Sequence, residues 1–200
     1  MKLDLYVTTS REDIENLILN EPFSKSIEER EEYSFYVFLK IYSGRTLVAE
    51  LNGMVFDEDK IMNDGNDMTD VADMHYGDVY GAICTLMKSN IYKEELDIDL
   101  MYASPYSSYI ERVYINPKYR NKGVGKYIFN QLYDIFLHCL NIHTRCFVIC
   151  PKPQLPDDKK NWINATDEDG SKKKLMIDVI KKSGYKRIGK SEFYAINCMT

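Results

Sequence analysis

The chain has 200 residues, of which 44% are hydrophobic and 28% are charged, and its net charge is −5. This composition predicts one packed domain with an elaboration, and it excludes a disordered chain, a collagen-like repeat and a coiled-coil rod. General binding to nucleic acid is disfavoured, because its affinity comes largely from Lys and Arg against phosphates. No window has the roughly 18 consecutive apolar residues of a membrane helix, and the N-terminal residues lack the apolar core of a secretory signal, so we expect a cytoplasmic protein.

The N-terminal segment predicts one strand followed by two helices. The run LDLYVTT is typical of a short strand. Residues 11–20 place their apolar side chains on one helical face, with Ser10 in position to cap the N-terminus. Residues 24–32 have the spacing of a capping box, which indicates a second short helix.

The next segment predicts an antiparallel hairpin. From Tyr33 to Tyr42 two sets of side chains alternate with a period of two, as a strand requires. The runs TLVAEL and MVF then flank Asn52-Gly53, and this dipeptide is the strongest short signal of a hairpin turn. We therefore expect the chain to turn at Asn52-Gly53.

The following stretch is acidic. Residues 50–79 contain nine Asp and Glu residues against the single base Lys60. Such a stretch is either a solvated surface or a region that attracts a cationic substrate. Residues 57–76 have no assignable element, and the apolar run VYGAICTLM fits either a strand or a buried helix.

The second half predicts a strand–helix–strand unit. The strand SSYIERVYIN is stopped by Pro117, because proline cannot donate a hydrogen bond to a neighbouring strand. A glycine turn leads into an amphipathic helix, and the apolar run CFVIC then fits a strand that is covered on both faces. The two strands of this unit should be parallel, in a mixed α/β sheet. Further along, KKLMIDVIKKS predicts a helix that Gly184 ends, and two more strands follow it.

The five cysteines predict reduced thiols and no metal site. Their number is odd and no pair has C-x-x-C spacing. His138, Cys139, His143 and Cys146 are residue types that bind zinc, but they lie where a helix gives way to a strand. Their side chains would therefore not converge on one ion.

The turn between residues 120 and 126 is the motif that carries chemistry. Gly123 and Gly125 open a helix, where glycine permits close approach of the backbone and several amide N–H groups have no partner. These donors and the positive end of the helix dipole form a cradle for a pyrophosphate, and Arg120, Lys122 and Lys126 add positive charge around it. The pattern is neither a Walker loop nor G-x-G-x-x-G.

In its context this turn resembles the acetyl-CoA-binding segment of the GNAT superfamily of acyl-CoA-dependent N-acyltransferases. The family pattern is a strand, then Arg or Gln, two residues, Gly, one residue, and Gly or Ala; Arg120, Gly123 and Gly125 fill these positions. The resemblance implies a mostly antiparallel sheet of about six or seven strands, with a central splayed parallel pair and flanking helices. The domain would span residues 1–200, with elaborations at about 57–108 and 151–171.

The resemblance also implies a site and a mechanism. The backbone of Val113, Tyr114 and Ile115 would pair with the pantetheine arm of acetyl-CoA. The cosubstrate's phosphates would lie against the turn that is formed by Arg120, Asn121, Lys122, Gly123, Val124, Gly125 and Lys126. An amine would attack the thioester directly in a ternary complex, so that no nucleophilic Cys or Ser and no metal is needed.

Glu111 is the candidate base, because it precedes Val113 on the same strand and an alkyl ammonium must lose a proton before it attacks. The alternative is a surface carboxylate paired with a neighbouring cation. The usual general acid of the family is a tyrosine four residues before the glycine that ends the closing helix, and here that position is Ile180. Tyr185 and Tyr194 are nearby substitutes, with burial in the core as the alternative for both.

The sequence thus predicts an N-acetyltransferase that uses acetyl-CoA and a small-molecule or protein amine, with a cationic amine among the candidate acceptors. Two other hypotheses stay open: a non-catalytic module on the same fold that binds acyl-CoA or a partner, and an acidic protein that occupies a basic surface of another macromolecule.

Overall fold

The computed structural model describes residues 4–8, 32–75, 77–88, 91–98, 105–156, 162–164 and 170–199. The described helices and strands follow in chain order: β1 (Asp4–Thr8), β2 (Ser34–Ser43), β3 (Thr46–Asp57), α1 (Glu58–Asn63), α2 (Met68–Asp73), α3 (Gly77–Leu86), β4 (Met87–Lys88), β5 (Ile91–Tyr92), β6 (Tyr106–Ile115), α4 (Val124–Leu140), β7 (Thr144–Ile149), β8 (Gln154–Pro156), β9 (Trp162–Asn164), α5 (Ser171–Lys182), β10 (Lys186–Arg187) and β11 (Tyr194–Asn197). The 3₁₀ turns Glu94–Leu96 and Pro117–Tyr119 precede β6 and α4.

Seven strands form one mixed sheet in the order β1-β2-β3-β6-β7-β11-β10. Among the described strands, β6 and β7 are the parallel pair, and every other pair in this sheet is antiparallel. The helix α4 connects the two parallel strands, since a parallel pair needs a crossover. The predicted fold class and the predicted strand–helix–strand unit are therefore confirmed.

Both faces of the sheet are covered by helices. The strand β7 shows this directly: Phe147 and Ile149 pack into the core that contains α4 and α5, whereas Cys146 and Val148 pack into the core that contains α1, α2 and α3. All residues of β7 are buried, as the prediction from its continuous apolar run requires.

The predicted turn at Asn52-Gly53 is wrong. The strand β3 passes straight through both residues, and the chain turns instead at Gly44-Arg45, where Gly44 has φ +59°. Gly53 serves a close contact between strands: a Cβ on it would lie 2.6 Å from the carbonyl oxygen of Tyr109. The register between β3 and β6 shifts by one residue at this point, so Asn52-Gly53 marks a bulge that only pairing with a distant strand reveals.

The acidic stretch folds into short helices. Asp57 Oδ1 accepts a hydrogen bond from the Lys60 amide at 3.0 Å, and Asp67 Oδ1 accepts one from the Thr69 amide at 2.8 Å, so these two acids cap α1 and α2. The ambiguous run VYGAICTLM forms the helix α3 and begins β4.

Other predictions fall outside the described residues or only partly within them. The predicted helix at 11–20 with its cap Ser10 lies outside, and so does the predicted helix at 24–32 except for its last residue, Glu32. In the 151–171 segment the described residues include the small hairpin of β8 and β9. None of the described helices has the length and apolar character to cross a membrane.

Candidate active site

A cavity opens where the parallel strands separate. The pairing of β6 with β7 ends at Ile110 and Ile149, but β6 continues to Ile115 along β3. Beyond that end lies a cavity of about 330 Å³ between β6, the start of α4 and one face of α5. It is lined by Val113, Tyr114, Ile115, Tyr119, Arg120, Asn121, Gly123, Val124, Gly125, Lys126, Phe129, Pro153, Lys172, Leu175, Met176, Val179 and Ile180.

The backbone of β6 presents polar groups to this cavity. The Asn116 amide donates to the Val48 carbonyl at 2.9 Å, which turns the backbone groups of residue 116 toward β3. Because direction alternates along an antiparallel strand, the amides and carbonyls of Val113 and Ile115 point to the opposite side, where β7 has already ended. Arg120 Nε donates to the Ile115 carbonyl at 2.9 Å and occupies that oxygen.

The turn that begins α4 is wound tightly. Asn121 has φ +57° and Gly123 has φ +81°, both in the left-handed region. Gly123 is the N-cap and supplies no side chain, and the first helical hydrogen bond runs from the Tyr127 amide to the Gly123 carbonyl at 2.9 Å. The amides of residues 124–126 therefore have no partner within the helix.

The two glycines of the turn have different roles. A Cβ on Gly123 would meet no atom within 4 Å, so its positive φ and the open space beside it are what favour glycine. A Cβ on Gly125 would lie 3.0 Å from Ile115 Cδ1 and 3.5 Å from Val179 Cγ1. Gly125 thus allows α4 to pack closely on β6 and α5.

Positive side chains surround the turn. Arg120, Lys126 and Lys172 line the cavity, and Lys172 was not predicted because it lies in a different segment. Lys122 does not line the cavity; its Nζ lies 5.7 Å from the centre of the Tyr119 ring. Unpaired amides, a helix N-terminus and three cations together suit a pyrophosphate.

Glu111 lies at the bulge of β6. The register passes from Asn52 opposite Arg112 to Gly53 opposite Ile110, so Glu111 is the extra residue. Asn52 Nδ2 donates to Glu111 Oε2 at 3.2 Å, and the Arg112 guanidinium forms an ion pair with the other oxygen. Glu111 is not among the residues that line the cavity, and the predicted alternative of a paired carboxylate describes its contacts.

The position of the family's usual acid and the two substitute tyrosines lie in different places. Ile180, which occupies that position, lines the cavity and is buried. Tyr185 does not line the cavity: its ring packs edge-on against Phe129 with centroids 5.6 Å apart, and its hydroxyl has no hydrogen-bond partner among the described residues. Burial raises the pKa of Tyr185 well above its usual value. Tyr194 is buried in the same core.

Sequence reasoning missed a buried ionic group. Glu58 begins α1, and its carboxylate accepts hydrogen bonds from Arg145 Nη1 at 2.6 Å and from the Tyr92 hydroxyl. Burial raises the pKa of Glu58 to about 7, against the opposing effect of the Arg145 guanidinium. No local signal marks this group, because its members come from three separate elements.

Sequence reasoning also missed an ion pair between Asp78 and Lys152, in which Asp78 Oδ1 lies 2.7 Å from Lys152 Nζ. Asp78 lies in the first turn of α3, and Lys152 follows β7. The sequence did not predict this pair, because it left open whether the segment that follows Asp78 is a strand or a helix.

The model of the acetyltransferase (GNAT) family matches residues 12–157. The match covers most of the chain and includes the turn and the parallel strands described above. The chain therefore belongs to the GNAT acetyltransferase family.

Two solved structures are similar to this chain. One is the apo form of a mutant agmatine N-acetyltransferase, with 9% identity, 80% of this chain and 75% of that chain covered, and a TM-score of 0.39. The other is the Drosophila melanogaster polyamine N-acetyltransferase, which catalyses the formation of N-acetylagmatine, with 10% identity, 80% and 74% covered, and a TM-score of 0.39. Comparison with curated protein sequences finds no match.

Proposed function

We propose that this protein transfers the acetyl group of acetyl-CoA to a primary amine by direct attack in a ternary complex. The observation that carries the proposal is the cavity at the splayed strands, with the unpaired amides of α4 at one end and the free edge of β6 at the other. The family's use of acetyl-CoA supports the same choice of cosubstrate.

The residues around the cavity fit acetyl-CoA. The amides of residues 123–126 and the side chains of Arg120, Lys126 and Lys172 would hold the phosphates, with Asn121 and Lys122 in the turn itself. The edge of β6 at Val113 and Ile115 would pair with the amides of the pantetheine arm, beside the side chain of Tyr114. When bound, acetyl-CoA supplies the activated thioester.

The acetyl group passes directly from the thioester to the amine, so the reaction needs no nucleophile from the enzyme. The lone pair of the amine attacks the thioester carbonyl carbon, the C–S bond breaks, and the products are an N-acetylamine and CoA. An alkyl ammonium with a pKa of about 10.4 must first lose a proton, and Glu111 accepts it directly or through water. A backbone N–H at the splayed edge stabilises the negative charge on the carbonyl oxygen.

The departing sulfur needs a proton. Tyr185 is the candidate donor, and because its hydroxyl is buried, neighbouring packing must move before it reaches a substrate in the cavity. A thiol has an ordinary pKa of about 8.5, so the thiolate also leaves without an acid near neutral pH.

The second candidate is a non-catalytic acyl-CoA-binding or protein-interaction module. The apolar side chain of Ile180 at the cavity favours it, since it replaces the family's usual acid. The two candidates differ in one result: only the enzyme consumes acetyl-CoA when an amine is added.

The test is a calorimetric titration of acetyl-CoA into the wild type and Gly123→Asp. We expect the wild type to bind acetyl-CoA in the micromolar range, which corresponds to about −8 kcal/mol. In the variant the new carboxylate would enter the space beside the turn and repel the phosphates, so this binding should be lost. Gly44→Asp is the matched control: Gly44 also has a positive φ and open space, but it lies in the β2–β3 turn. Equal binding by the two variants, or no binding by the wild type, would overturn the proposal.

A further inference from the structure

Among the described strands, Glu111 has no partner in the register of either neighbouring strand. The parallel pairing of β6 with β7 ends at Ile110, one residue before it. On the other side, the register of β6 with β3 passes from Ile110 to Arg112 and leaves Glu111 out. The pairing of the sheet therefore does not fix the direction of the Glu111 side chain, and the contacts of the side chain itself must do so.

The bulge brings three polar side chains together. Neighbouring side chains on a regular strand point to opposite faces, yet Glu111 forms an ion pair with the next residue, Arg112. The bulge permits this contact, because two residues of the bulged strand then lie opposite one residue of its partner. That partner is Asn52 of β3, whose Nδ2 donates to Glu111 Oε2 at 3.2 Å. Asn52, Glu111 and Arg112 thus form one connected group.

Asn52 is the member of this group that is fixed in the sheet. It pairs with Phe38 of β2 on one side and with Arg112 of β6 on the other. Arg112 follows Glu111 directly in the chain and belongs to the same bulge, so it would move together with Glu111. The hydrogen bond from Asn52 therefore ties the carboxylate to a strand in the interior of the sheet, and sites carried on rigid elements keep their geometry best.

This contact suits a base that has to stay in one orientation. Arg112 contacts Oε1 of Glu111 and Asn52 contacts Oε2; because a carboxylate has about four lone-pair sites, sites for a proton remain. The Glu111 side chain is only 12% exposed, and water therefore competes little for the hydrogen bond. The amide of Asn52 is neutral, so it holds the carboxylate without adding a second positive charge that would repel a protonated amine.

We propose that Asn52 is a positioning residue for acetyl transfer, and that its amide holds the Glu111 carboxylate where it accepts the proton of the amine. The inference rests on the acetyl transfer proposed above, with Glu111 as its base. Asn52 itself touches no reacting atom. In the step that it assists, the N–H bond of the ammonium breaks, an O–H bond forms on Glu111 directly or through water, and the amine keeps the electron pair with which it attacks.

The test replaces the amide of Asn52 by groups of similar size that cannot donate a hydrogen bond. Asn52→Leu and Asn52→Asp should each lower kcat about tenfold or more, as the loss of one hydrogen bond to a charged group predicts, while the KM for acetyl-CoA changes less than about twofold. Rates are measured with acetyl-CoA and whichever of n-butylamine, putrescine and spermidine the wild type acetylates fastest. Asn197→Leu is the matched control and should keep the wild-type kcat, because Asn197 lies on β11 and its Nδ2 donates to the Asp97 carbonyl at 2.6 Å.

A double variant separates positioning from a structural role. In Glu111→Gln the base is already absent, so adding Asn52→Leu should lower kcat further by less than about twofold, because residues that act as a unit are not additive. A purely structural role would lower kcat by the same factor with and without Glu111. That result, or a fall of less than about threefold in Asn52→Leu alone, would overturn the inference.

A measurement without turnover checks the contact itself. In ¹⁵N-labelled protein the side-chain amide signal of Asn52 should shift in Glu111→Gln and should change less in Glu50→Gln. A signal that does not respond to Glu111→Gln would overturn the inference, whether or not the Asn52 variants fold.

The failure of this inference can be distinguished from the failure of the proposed function. A wild type that acetylates none of the three amines contradicts the proposed function and this inference together. An active wild type whose kcat is unchanged in Asn52→Leu contradicts only the positioning role of Asn52.

Discussion

At the scale of single residues, Glu111 is the proposed general base. The bulge removes it from the register with β3, and Asn52 and Arg112 hold its carboxylate. A base in this position should accept the proton of the amine and should not contribute to the binding of acetyl-CoA. We expect Glu111→Gln to lower kcat by about 10²–10⁴-fold while the KM for acetyl-CoA changes little.

Steady-state kinetics on both substrates would measure this effect. Glu50→Gln is the matched control, because Glu50 lies on β3 opposite Tyr114 and loses the same charge. A fall in kcat of less than about threefold in Glu111→Gln, or an equal fall in Glu50→Gln, would remove Glu111 from the mechanism.

At the scale of elements, the buried group around Glu58 attaches α1 to the sheet. Arg145 belongs to β7 and Tyr92 to β5, so one carboxylate joins three elements. Removing one partner of a buried ion pair leaves the other charge without compensation. We expect Arg145→Met to lower the free energy of unfolding by about 3–5 kcal/mol.

The same group predicts a dependence of stability on pH. The pKa of Glu58 rises from 4.5 to about 7 on folding, so the folded state binds more protons in that window. The contribution of Glu58 to the free energy of unfolding therefore falls as pH rises through the window, by at most about 3 kcal/mol.

Urea unfolding at about pH 5 and about pH 8 would measure this contribution. Glu58→Gln removes the titration and puts a neutral side chain of similar shape in its place. We expect the free energy of unfolding of the wild type to fall relative to that of the variant between the lower and the higher pH. A difference that stays constant would contradict the assignment to Glu58.

At the scale of the whole molecule, charge is divided between the two faces of the sheet. The acids of residues 57–78 belong to α1, α2, α3 and their caps on one face, whereas Arg120, Lys126 and Lys172 surround the cavity on the other. An anionic cosubstrate and a cationic acceptor would then approach opposite faces. Exposed charges steer such ligands until salt screens them.

This division predicts a salt effect that depends on the acceptor. The kcat/KM for polyamines should fall as ionic strength rises, and the kcat/KM for an arylamine that is uncharged at neutral pH should change less. Initial rates at about 0.01 M and about 0.15 M salt, with acetyl-CoA saturating, would measure it. Equal rates for both amines that do not depend on salt would contradict a role for the acidic stretch as the acceptor's entrance.

The sequence by itself determined the features that local spacing controls. The sequence predicts β2 from its alternating side chains, α4 from its apolar stripe and β7 from its continuous apolar run. Each of these patterns lies within a short stretch of consecutive residues, so it can be recognised without knowledge of the rest of the fold. The turn at Gly123 is equally local: its glycine, unpaired amides and cations are neighbours along the chain. The family resemblance then supplied the sheet and the place of the turn within it.

Only the tertiary structure decided the features that depend on pairing across the chain. Asn52-Gly53 has the composition of a hairpin turn, yet β6 pairs with it and makes it a bulge, and this bulge sets the position of Glu111. Asp78 of α3 pairs with Lys152 in the segment after β7, and Lys172 reaches the cavity from α5. No local pattern brings such residues together, because the free energy that places them comes from burying the two faces of the sheet.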